Sequence, residues 1–315
     1  MNCFYKLFRN TNSAVCALVL FSLWFTSGLK GDAKKGEVPA EAWMSSLPSH
    51  LLISSLTIPG THNSGALYEP LRGTAACQRL TIVQQLEAGV RFFDIRCRHE
   101  SDQFAIYHGP VFQHLTYAQI EKTMAEFLRK HPNEVLIASI KQESSPRRNT
   151  RSFEDTIREY ISEAKALYFT ETTIPKLGEA RGKIVLLRRF ASENNLGIAA
   201  TNWGHNGFYQ GRQLFVQDRF ELRDVKTKWE LVERGLEHSI QSKNQGLLHL
   251  NFTSGYVKNV FGIPNIVTVS NEINQKLANY LAEKSRCRLG CVVTDFMTPK
   301  LSRYVFKLNF ERNPK

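Results

Sequence analysis

Residues 56–65 read LTIPGTHNSG, a short apolar run that stops at Pro59-Gly60 and is followed directly by His62. Such a run predicts a buried strand that breaks into a loop. The imidazole of His62 is then expected at the carboxyl end of the strand, where parallel α/β proteins hold their catalytic groups. A histidine that only caps a turn is the alternative, and the wider sequence has to separate the two interpretations.

Eight apolar runs of strand length follow one another along the chain, and amphipathic stretches with threefold and fourfold apolar spacing lie between several of them. The runs cover residues 54–59, 90–96, 104–108, 134–141, 183–190, 213–218, 247–252 and 290–296, and the predicted helices cover 81–88, 116–130, 151–167, 221–241 and 271–284. Eight is the strand number of a closed α/β barrel. The connection between the second and third runs is too short for a helix. The sequence therefore predicts an α/β protein with a single irregular (β/α)8 TIM-like barrel.

The amino terminus has the pattern of a secretory signal peptide. Residues 1–13 carry Lys6 and Arg9 without an acid, residues 14–25 are almost wholly apolar, and small residues follow. That apolar run is too short to span a bilayer stably, although a retained signal anchor is the alternative. We predict a signal peptide at 1–28, a polar leader at 29–41 and the barrel domain at 42–315, and hence a secreted, extracellular protein.

Four of the six cysteines remain after the predicted signal peptide, namely Cys77, Cys97, Cys287 and Cys291. In an oxidising compartment they permit two disulfides, and the short spacing favours Cys287 with Cys291 as a local pair. Three connectivities stay open. A zinc site at the cysteines is disfavoured, because paired CxxC units are absent and no histidine lies near in the sequence.

The formal charge of +12 and the pI near 9.5 indicate an anionic partner. Nucleic acid, an acidic lipid surface and a phosphorylated substrate all satisfy that charge. The basic residues are scattered, and the sequence contains no recognition helix or zinc finger of the kinds that read DNA. A nucleic-acid partner is therefore not expected.

Seven of the eight runs carry a charged or titratable group at the same end. A buried charge is costly unless it is paired, and in a barrel these strand ends meet in one cup where the groups can pair and face a ligand. Emergence into solvent at the strand end is the alternative for Lys141, Arg189 and Asp218. The groups are His62, Asp94 with Arg96, His108, Lys141, Arg188 with Arg189, Asp218 and Asp295.

Two histidines together with several cations suggest a reaction at phosphorus. One histidine can remove a proton while the other supplies one, and Arg or Lys can stabilise the charge on phosphoryl oxygens. A hydroxyl next to a phosphodiester then becomes an internal nucleophile and gives a cyclic phosphate. Ribonucleases and inositol lipases both fit this scheme, which needs no metal.

Eight segments, in order, resemble a bacterial-type phosphatidylinositol-specific phospholipase C of the phospholipase C X-domain family, over nearly all of the mature chain. They are IPGTHNSG (58–65), VRFFDIRCR (90–98), YHGP (107–110), EVLIASIKQES (134–144), GKIVLLRRF (182–190), FVQDRF (215–220), LNFTS (250–254) and CVVTDF (291–296). The resemblance implies an irregular barrel enzyme, a phosphoric diester hydrolase and lyase. It would cleave phosphatidylinositol, free or in a glycosylphosphatidylinositol (GPI) anchor, to diacylglycerol and inositol 1,2-cyclic phosphate.

The same resemblance assigns roles to individual residues. His62 would be the general base, oriented by Asp295, and His108 the general acid. Arg96, beside Asp94, would contact the phosphate. The expected substrate-binding residues are Asn63, Lys141, Arg189, Asp218 and Phe220, of which Phe220 replaces a tyrosine of the family.

Asn63 is the main departure from the family pattern, since metal-independent relatives carry Asp there as partner of the acid histidine and calcium-dependent relatives use Asn as a metal ligand. Arg96 and Lys141 project into the same cup and oppose a cation. We therefore expect no cofactor and no metal, with calcium as the alternative. Transient membrane contact is expected, and Trp203, Phe208 and Tyr209 in the longest loop are candidates for it, with burial in the core as the equally open alternative.

Two other functions compete with this hypothesis. One is an inactive barrel that binds inositol phospholipid without turnover, which the complete set of His62, His108 and Asp295 argues against. The other is a magnesium-dependent phosphodiesterase of related fold. Such an enzyme needs clustered carboxylates, and Arg96 occupies the position where one of them would be expected.

Overall fold

The first predicted strand lies in the middle of a 12-stranded sheet. The computed structural model describes residues 38–310, and strand β1 (Thr57–Thr61) is buried at all five positions. It runs parallel to the strand on each side of it. Parallel neighbours require crossover connections, which place helices over the outer face of the sheet and leave both faces buried.

The remaining elements follow in chain order. The other strands are β2 (Phe92–Glu100), β3 (Gln103–His108), β4 (Val111–Thr116), β5 (Leu136–Arg147), β6 (Tyr168–Phe169), β7 (Ile184–Arg189), β8 (Ile198–Ala199), β9 (Gly207–Gln210), β10 (Leu214–Asp218), β11 (Glu221–Leu222), β12 (Leu248–Phe252), β13 (Tyr256–Lys258), β14 (Pro264–Asn265) and β15 (Gly290–Thr294). The helices are α1 (Ile82–Glu87), α2 (Tyr117–Lys130), α3 (Phe153–Glu163), α4 (Leu177–Ala180), α5 (Val225–Gln241), α6 (Ile266–Glu283) and α7 (Pro299–Phe306). Four short 3-10 turns cover Ala40–Ser46, Ile53–Ser55, Lys165–Leu167 and Lys307–Asn309. None of the helices between residues 38 and 310 is long and apolar enough to cross a membrane.

Seven parallel strands form the wall of the barrel, in the order β7, β5, β2, β1, β15, β12, β10. The short β6 and β8 pair with β7 at one end, and antiparallel β9 pairs with β10 at the other. In the part of the chain that the structure describes, no strand pairing joins these two ends. The predicted irregular TIM-like barrel is thus confirmed, and seven of the eight predicted runs lie in its wall.

The third predicted run, 104–108, is not a wall strand, and this part of the prediction is wrong. It forms β3, which pairs antiparallel with β2 and continues into β4. The connection is a tight turn at Ser101 and Asp102, whose φ angles are 52° and 57°. A two-residue turn of that kind joins antiparallel neighbours, whereas a parallel neighbour needs a crossover.

Three of the predicted helices begin at the expected positions because each has a capping box, in which the side chains of the N-cap and third residues bond each other's backbone. The boxes are Thr81 with Gln84, Thr116 with Gln119 and Ser152 with Asp155. The other two helix starts were misplaced. Residues 221–222 pair with β13, so α5 begins only after the N-cap Asp224, and α6 begins at Ile266, five residues earlier than expected.

The wall separates two apolar layers, because successive side chains of a strand point to opposite faces. Phe92 and Cys291 belong to the inner layer, and Phe93 and Val292 to the outer one. The Cys287–Cys291 disulfide that the spacing favours is not formed. Cys287 packs against the outer layer, whereas Cys291 faces the interior, and all four described cysteines are free thiols.

The compact unit begins at Val38 and therefore includes residues 38–41 of the predicted leader. The carbonyl oxygens of Ala40 and Glu41 accept hydrogen bonds from the buried guanidinium of Arg91, which also pairs with Glu134 at 2.8 Å. The predicted signal peptide, 1–28, lies outside the described residues.

Candidate active site

One cavity of about 360 Å³ opens among the carboxyl ends of the wall strands. Eight of the predicted site residues line it, and the other two, Asp94 and Asn63, are fully buried outside its lining. The eight are His62, Arg96, His108, Lys141, Arg189, Asp218, Phe220 and Asp295. The strand ends thus meet in one cup, as the sequence indicated.

His62 and Asp295 are brought together by strand register. Thr61 at the end of β1 is paired with Thr294 at the end of β15, so the next residue of each strand lies beside the other. The Nδ1 atom of His62 is 2.7 Å from Oδ1 of Asp295, which is 1% exposed. The carboxylate therefore holds the proton on Nδ1 and leaves Nε2 available as a base.

His108 ends β3, and its ring centroid lies 6.3 Å from that of His62. Its Nδ1 is 2.7 Å from the carbonyl oxygen of Ala75 and 3.6 Å from Sγ of Cys77. Because a carbonyl can only accept, Nδ1 carries the hydrogen. Burial lowers the pKa of His108 and the nearby charge of Arg96 lowers it further, although the hydrogen bond to Ala75 opposes these effects.

Asp94 lies behind the cavity and orients two guanidinium groups. Its Oδ2 accepts from Nε of Arg96 at 2.9 Å, and its Oδ1 lies 3.3 Å from Nη1 of Arg189. Burial alone would raise the pKa of Asp94, but Arg96 and Arg189 lower it to about 2. Asp94 is therefore ionised and fixes both arginines in the cup.

Glu143 is a cavity residue that the sequence interpretation missed. Its carboxylate is 2.7 Å from Nζ of Lys141, 3.4 Å from Nη1 of Arg96, and accepts from the backbone N–H of Gly109 at 3.2 Å. These cations hold the pKa of Glu143 well below its usual range despite its burial. The sequence signal for Glu143 is its position two residues after Lys141. Residues two apart on a strand lie on the same face, and β5 continues as far as Arg147.

Trp203 supports the opposite side of the cup. The guanidinium carbon of Arg189 lies 3.4 Å from the ring centroid of Trp203, and the indole N–H donates to Oδ2 of Asp218 at 3.1 Å. A cation over an indole face is attracted by the ring quadrupole. Trp203 is 8% exposed and lines the cavity, which favours burial, the alternative to membrane contact at this residue.

Comparison with known proteins identifies the family. Residues 52–190 match the family model "Phosphatidylinositol-specific phospholipase C, X domain". A 1-phosphatidylinositol phosphodiesterase of Listeria monocytogenes is 30% identical over 287 residues, which cover 87% of this chain and 87% of the relative. The chain belongs to the phosphatidylinositol-specific phospholipase C X-domain family. A Staphylococcus aureus relative with the same description as the Listeria protein is 27% identical over 89% of this chain and 90% of its own length.

Solved structures of bacterial family members have the same fold. A variant of the phosphatidylinositol-specific phospholipase C from Staphylococcus aureus matches with a TM-score of 0.80 at 25% identity, over 87% of this chain and 98% of that one. The Listeria monocytogenes enzyme matches with a TM-score of 0.69 at 26% identity, over 87% of this chain and 100% of that one. The resemblance stated from the eight sequence segments is thereby confirmed.

Asn63, the departure from the family pattern, does not reach the acid histidine. Its backbone N–H donates to Asp94 at 3.1 Å, and its φ is 42°, a conformation that Asn tolerates better than most residues. Its side-chain amide is buried without a hydrogen-bond partner among the described residues. The partner of His108 is instead the Ala75 carbonyl, and Asn63 is not among the residues that line the cavity.

The carboxylates around the cavity are a poor fit to the ligand set of calcium. Asp94 and Glu143 are each engaged by two cations, Asp295 by His62, and Asp218 by the indole of Trp203. Calcium requires six to eight oxygen ligands, commonly with several carboxylates. The groups that face the cavity do not supply that set.

Gln78 is a second residue that the sequence interpretation missed. Its Nε2 donates to the carbonyl oxygens of His62 at 2.9 Å and of Thr294 at 2.8 Å, and its Oε1 accepts from the backbone of Met297 at 3.1 Å. The side chain is 1% exposed. Gln78 thus joins the ends of β1 and β15, which carry the base and its orienting acid, and no feature of the sequence distinguishes it from a loop glutamine.

Proposed function

We propose that this protein cleaves phosphatidylinositol to diacylglycerol and inositol 1,2-cyclic phosphate by acid–base catalysis with paired histidines. The observation that carries the proposal is the perpendicular pair of imidazoles on one cavity, each with Nδ1 occupied by an acceptor. That arrangement leaves the Nε2 atoms of His62 and His108 for proton transfer. The substrates named for the curated relatives support the lipid class.

In the first step Nε2 of His62 takes the proton of the inositol 2-hydroxyl, and the resulting oxygen attacks the neighbouring phosphorus. The bond from phosphorus to the diacylglycerol oxygen breaks, and that oxygen receives the proton of His108. The guanidinium of Arg96 stabilises the charge on the phosphoryl oxygens. Asp295 stabilises the imidazolium that forms on His62.

The inositol ring is held on the side of the cavity that lies opposite the histidines. Arg189 and Lys141 can donate to ring hydroxyls, and Asp218 can accept from them. Phe220 lines the same cavity and offers a ring face. Arg189 and Asp218 are fixed by Trp203, so the hydroxyl contacts are in place before the substrate binds.

The reaction requires no metal cofactor in this proposal. Arg96 supplies positive charge at the phosphate, and the cavity lacks the oxygen ligands that calcium needs. We therefore expect full activity in the presence of a chelator.

Transient contact with the membrane is part of the proposal, but through residues other than those expected. Val260 is 94% and Phe261 83% exposed, at the tip of the loop between β13 and β14. Tyr256 and Ile266, at the two ends of this segment, line the cavity. Exposed apolar side chains at the mouth of a lipid-binding cavity can enter the bilayer interface.

Of the residues in the longest loop, Phe208 is 39% exposed, and Tyr209 packs against the inner apolar layer.

We also propose secretion, on the signal-peptide pattern of residues 1–28. Expression of the full chain in secretory cells should give protein in the medium whose amino terminus starts near residue 29. Retention in the membrane fraction with an intact amino terminus would contradict secretion and support a signal anchor.

The decisive assay measures release of inositol 1,2-cyclic phosphate from phosphatidylinositol vesicles with chelator present. His62→Ala and His108→Ala should each lower kcat by about 10²- to 10⁴-fold, whereas His50→Ala, at an exposed histidine outside the cavity, should not. A parallel arm with a GPI-anchored protein determines whether the anchor is also cleaved. Full activity in His62→Ala, or loss of activity with chelator, would overturn the mechanism.

A further inference from the structure

Cys77 is a buried thiol in the active site that the proposed mechanism does not use. It lies on the segment 75–78. In this segment the carbonyl oxygen of Ala75 accepts a hydrogen bond from His108, and the side chain of Gln78 donates one to the carbonyl oxygen of His62. Its Sγ, a ring nitrogen of His62 and a carboxylate oxygen of Asp295 lie within 4.8 Å of one another. The Oδ2 atom of Asp295 is buried and has no hydrogen-bond partner among the described residues.

We propose that His62, Cys77 and Asp295 form an inhibitory binding site for a thiophilic divalent cation of the zinc class. The proposal that the ion binds stands on this donor set alone, and the proposal that it inhibits rests on the function proposed above. The three residues are distant in the sequence, which is why inspection of cysteine spacing did not reveal the site.

The donor set matches zinc chemistry and not calcium chemistry. Zinc takes imidazole nitrogen, thiolate sulfur and carboxylate oxygen in tetrahedral sites, and many of its sites have three protein ligands and one water. Calcium takes oxygen ligands only. Zinc–ligand bonds of about 2.0–2.3 Å place ligand atoms roughly 3.3–3.8 Å apart, so the side chains need shifts on the order of one ångström to close around the ion.

Occupation of this site would remove the general base. Without metal, the proton of the neutral His62 ring is on Nδ1, where Asp295 accepts it, and Nε2 is free. When the ion takes Nδ1, the ring proton moves to Nε2, which becomes a donor and can no longer accept the proton of the inositol hydroxyl. The Cys77 thiol releases its proton to solvent as it binds, so one proton is released per ion.

Cobalt(II) titration of the purified protein, without substrate, tests the site directly. Bound cobalt should give a thiolate-to-metal charge-transfer band in the near ultraviolet at one ion per chain. Zinc should displace the ion and abolish the band. The band should be absent in Cys77→Ser and present in Cys287→Ser, a control for thiol loss outside the cavity. A wild-type complex without the band, or a band that persists in Cys77→Ser, would overturn the proposal.

Zinc inhibition of turnover provides the second measurement. Zinc should inhibit the wild type and Cys287→Ser equally, and Cys77→Ser should require roughly 100-fold more zinc, because loss even of an outer partner of a metal ligand costs about 10- to 100-fold in affinity. Should Cys77→Ser fail to fold, X-ray absorption of the zinc-bound wild type should show one sulfur at about 2.3 Å. A zinc shell without sulfur would overturn the site. An inactive protein that still binds cobalt through Cys77 would leave the site intact and overturn the proposed function.

Discussion

The Nδ1 atom of His108 lies 2.7 Å from the carbonyl oxygen of Ala75. A carbonyl is a neutral acceptor, so it stabilises an imidazolium less than a carboxylate would. Burial lowers the pKa of His108 in addition. The acid of the proposed mechanism therefore relies on the anionic phosphodiester of the bound substrate to favour its protonated form.

NMR titration of the ring protons of the free enzyme tests this relationship. We expect His108 to titrate below the ordinary histidine value of about 6.5, because burial and the charge of Arg96 both disfavour the imidazolium. A bound, non-reactive inositol phosphate should raise that pKa. A pKa above 6.5 for His108 in the free enzyme would contradict the expectation.

A general acid is needed only when the leaving group departs poorly without a proton. The choice of leaving group therefore distinguishes the role of His108 from that of His62. An inositol phosphodiester with an activated aryl leaving group departs without protonation, so His108→Ala should retain most of its activity on it. The fall of kcat/KM as the pH rises through the lowered pKa of His108 should also disappear with this substrate, since it reflects loss of the proton from the acid. His62→Ala should remain inactive on both substrates. Equal losses in the two variants on the aryl substrate would show that His108 does more than donate a proton.

Gln78 should act as a positioning residue for the base. Gln78→Leu removes three hydrogen bonds to the ends of β1 and β15, and a displacement of His62 by a fraction of an ångström should lower kcat by roughly 10- to 100-fold with little change in KM. The loss should persist with the aryl substrate, because it concerns the base. Gln113→Leu, at another buried glutamine whose partners are Tyr68 and Val111, should lower the melting temperature but not kcat. A purely structural role for Gln78 would give the two variants the same kinetics.

The parts of the site that were predictable depend on local patterns. A strand that ends in a titratable group places that group at the carboxyl end of the barrel, and adjacent parallel strands then bring His62 beside Asp295 through register alone. Lys141 and Arg189 are likewise adjacent across β5 and β7. These relationships need only the strand assignment and the barrel topology.

The missed contacts depend on segments that leave the barrel and return to it. The Ala75 carbonyl and Gln78 come from a loop whose path carries no periodicity, and Trp203 lies in the long loop after β7. The sequence left membrane contact and burial open for Trp203, whose ring in the structure contacts the guanidinium of Arg189. The exposure of Val260 and Phe261 in the loop between β13 and β14 is likewise not specified by a sequence pattern. Side-chain contacts of this kind follow from tertiary packing, which sequence periodicity does not specify.

The stack of Arg189 on Trp203 should contribute to inositol binding. Trp203→Phe keeps a ring face for the guanidinium but loses the N–H that holds Asp218, and Trp203→Ala loses both. A cation–π contact is worth about 0.5–2 kcal/mol, so KM should rise roughly 2- to 30-fold in Trp203→Ala and less in Trp203→Phe. Trp229→Phe, on α5 against Tyr280, is the matched control and should leave KM unchanged. An unchanged KM in Trp203→Ala would show that Arg189, or its stack on Trp203, does not contribute to substrate binding.

The exposed pair at the mouth of the cavity should act only when the substrate is in a bilayer. Burial of a Val or Phe side chain is worth about 1.5–3 kcal/mol, so the double variant Val260→Ser with Phe261→Ser should bind phosphatidylinositol vesicles at least roughly tenfold more weakly. Turnover of a soluble inositol phosphodiester should be unchanged, because neither residue lines the cavity. Ile240→Ser, at an exposed apolar residue near the end of α5, should affect neither measurement. Unchanged vesicle binding in the double variant would exclude this loop as the membrane contact. Lost activity on the soluble substrate would instead indicate that the loop shapes the cavity.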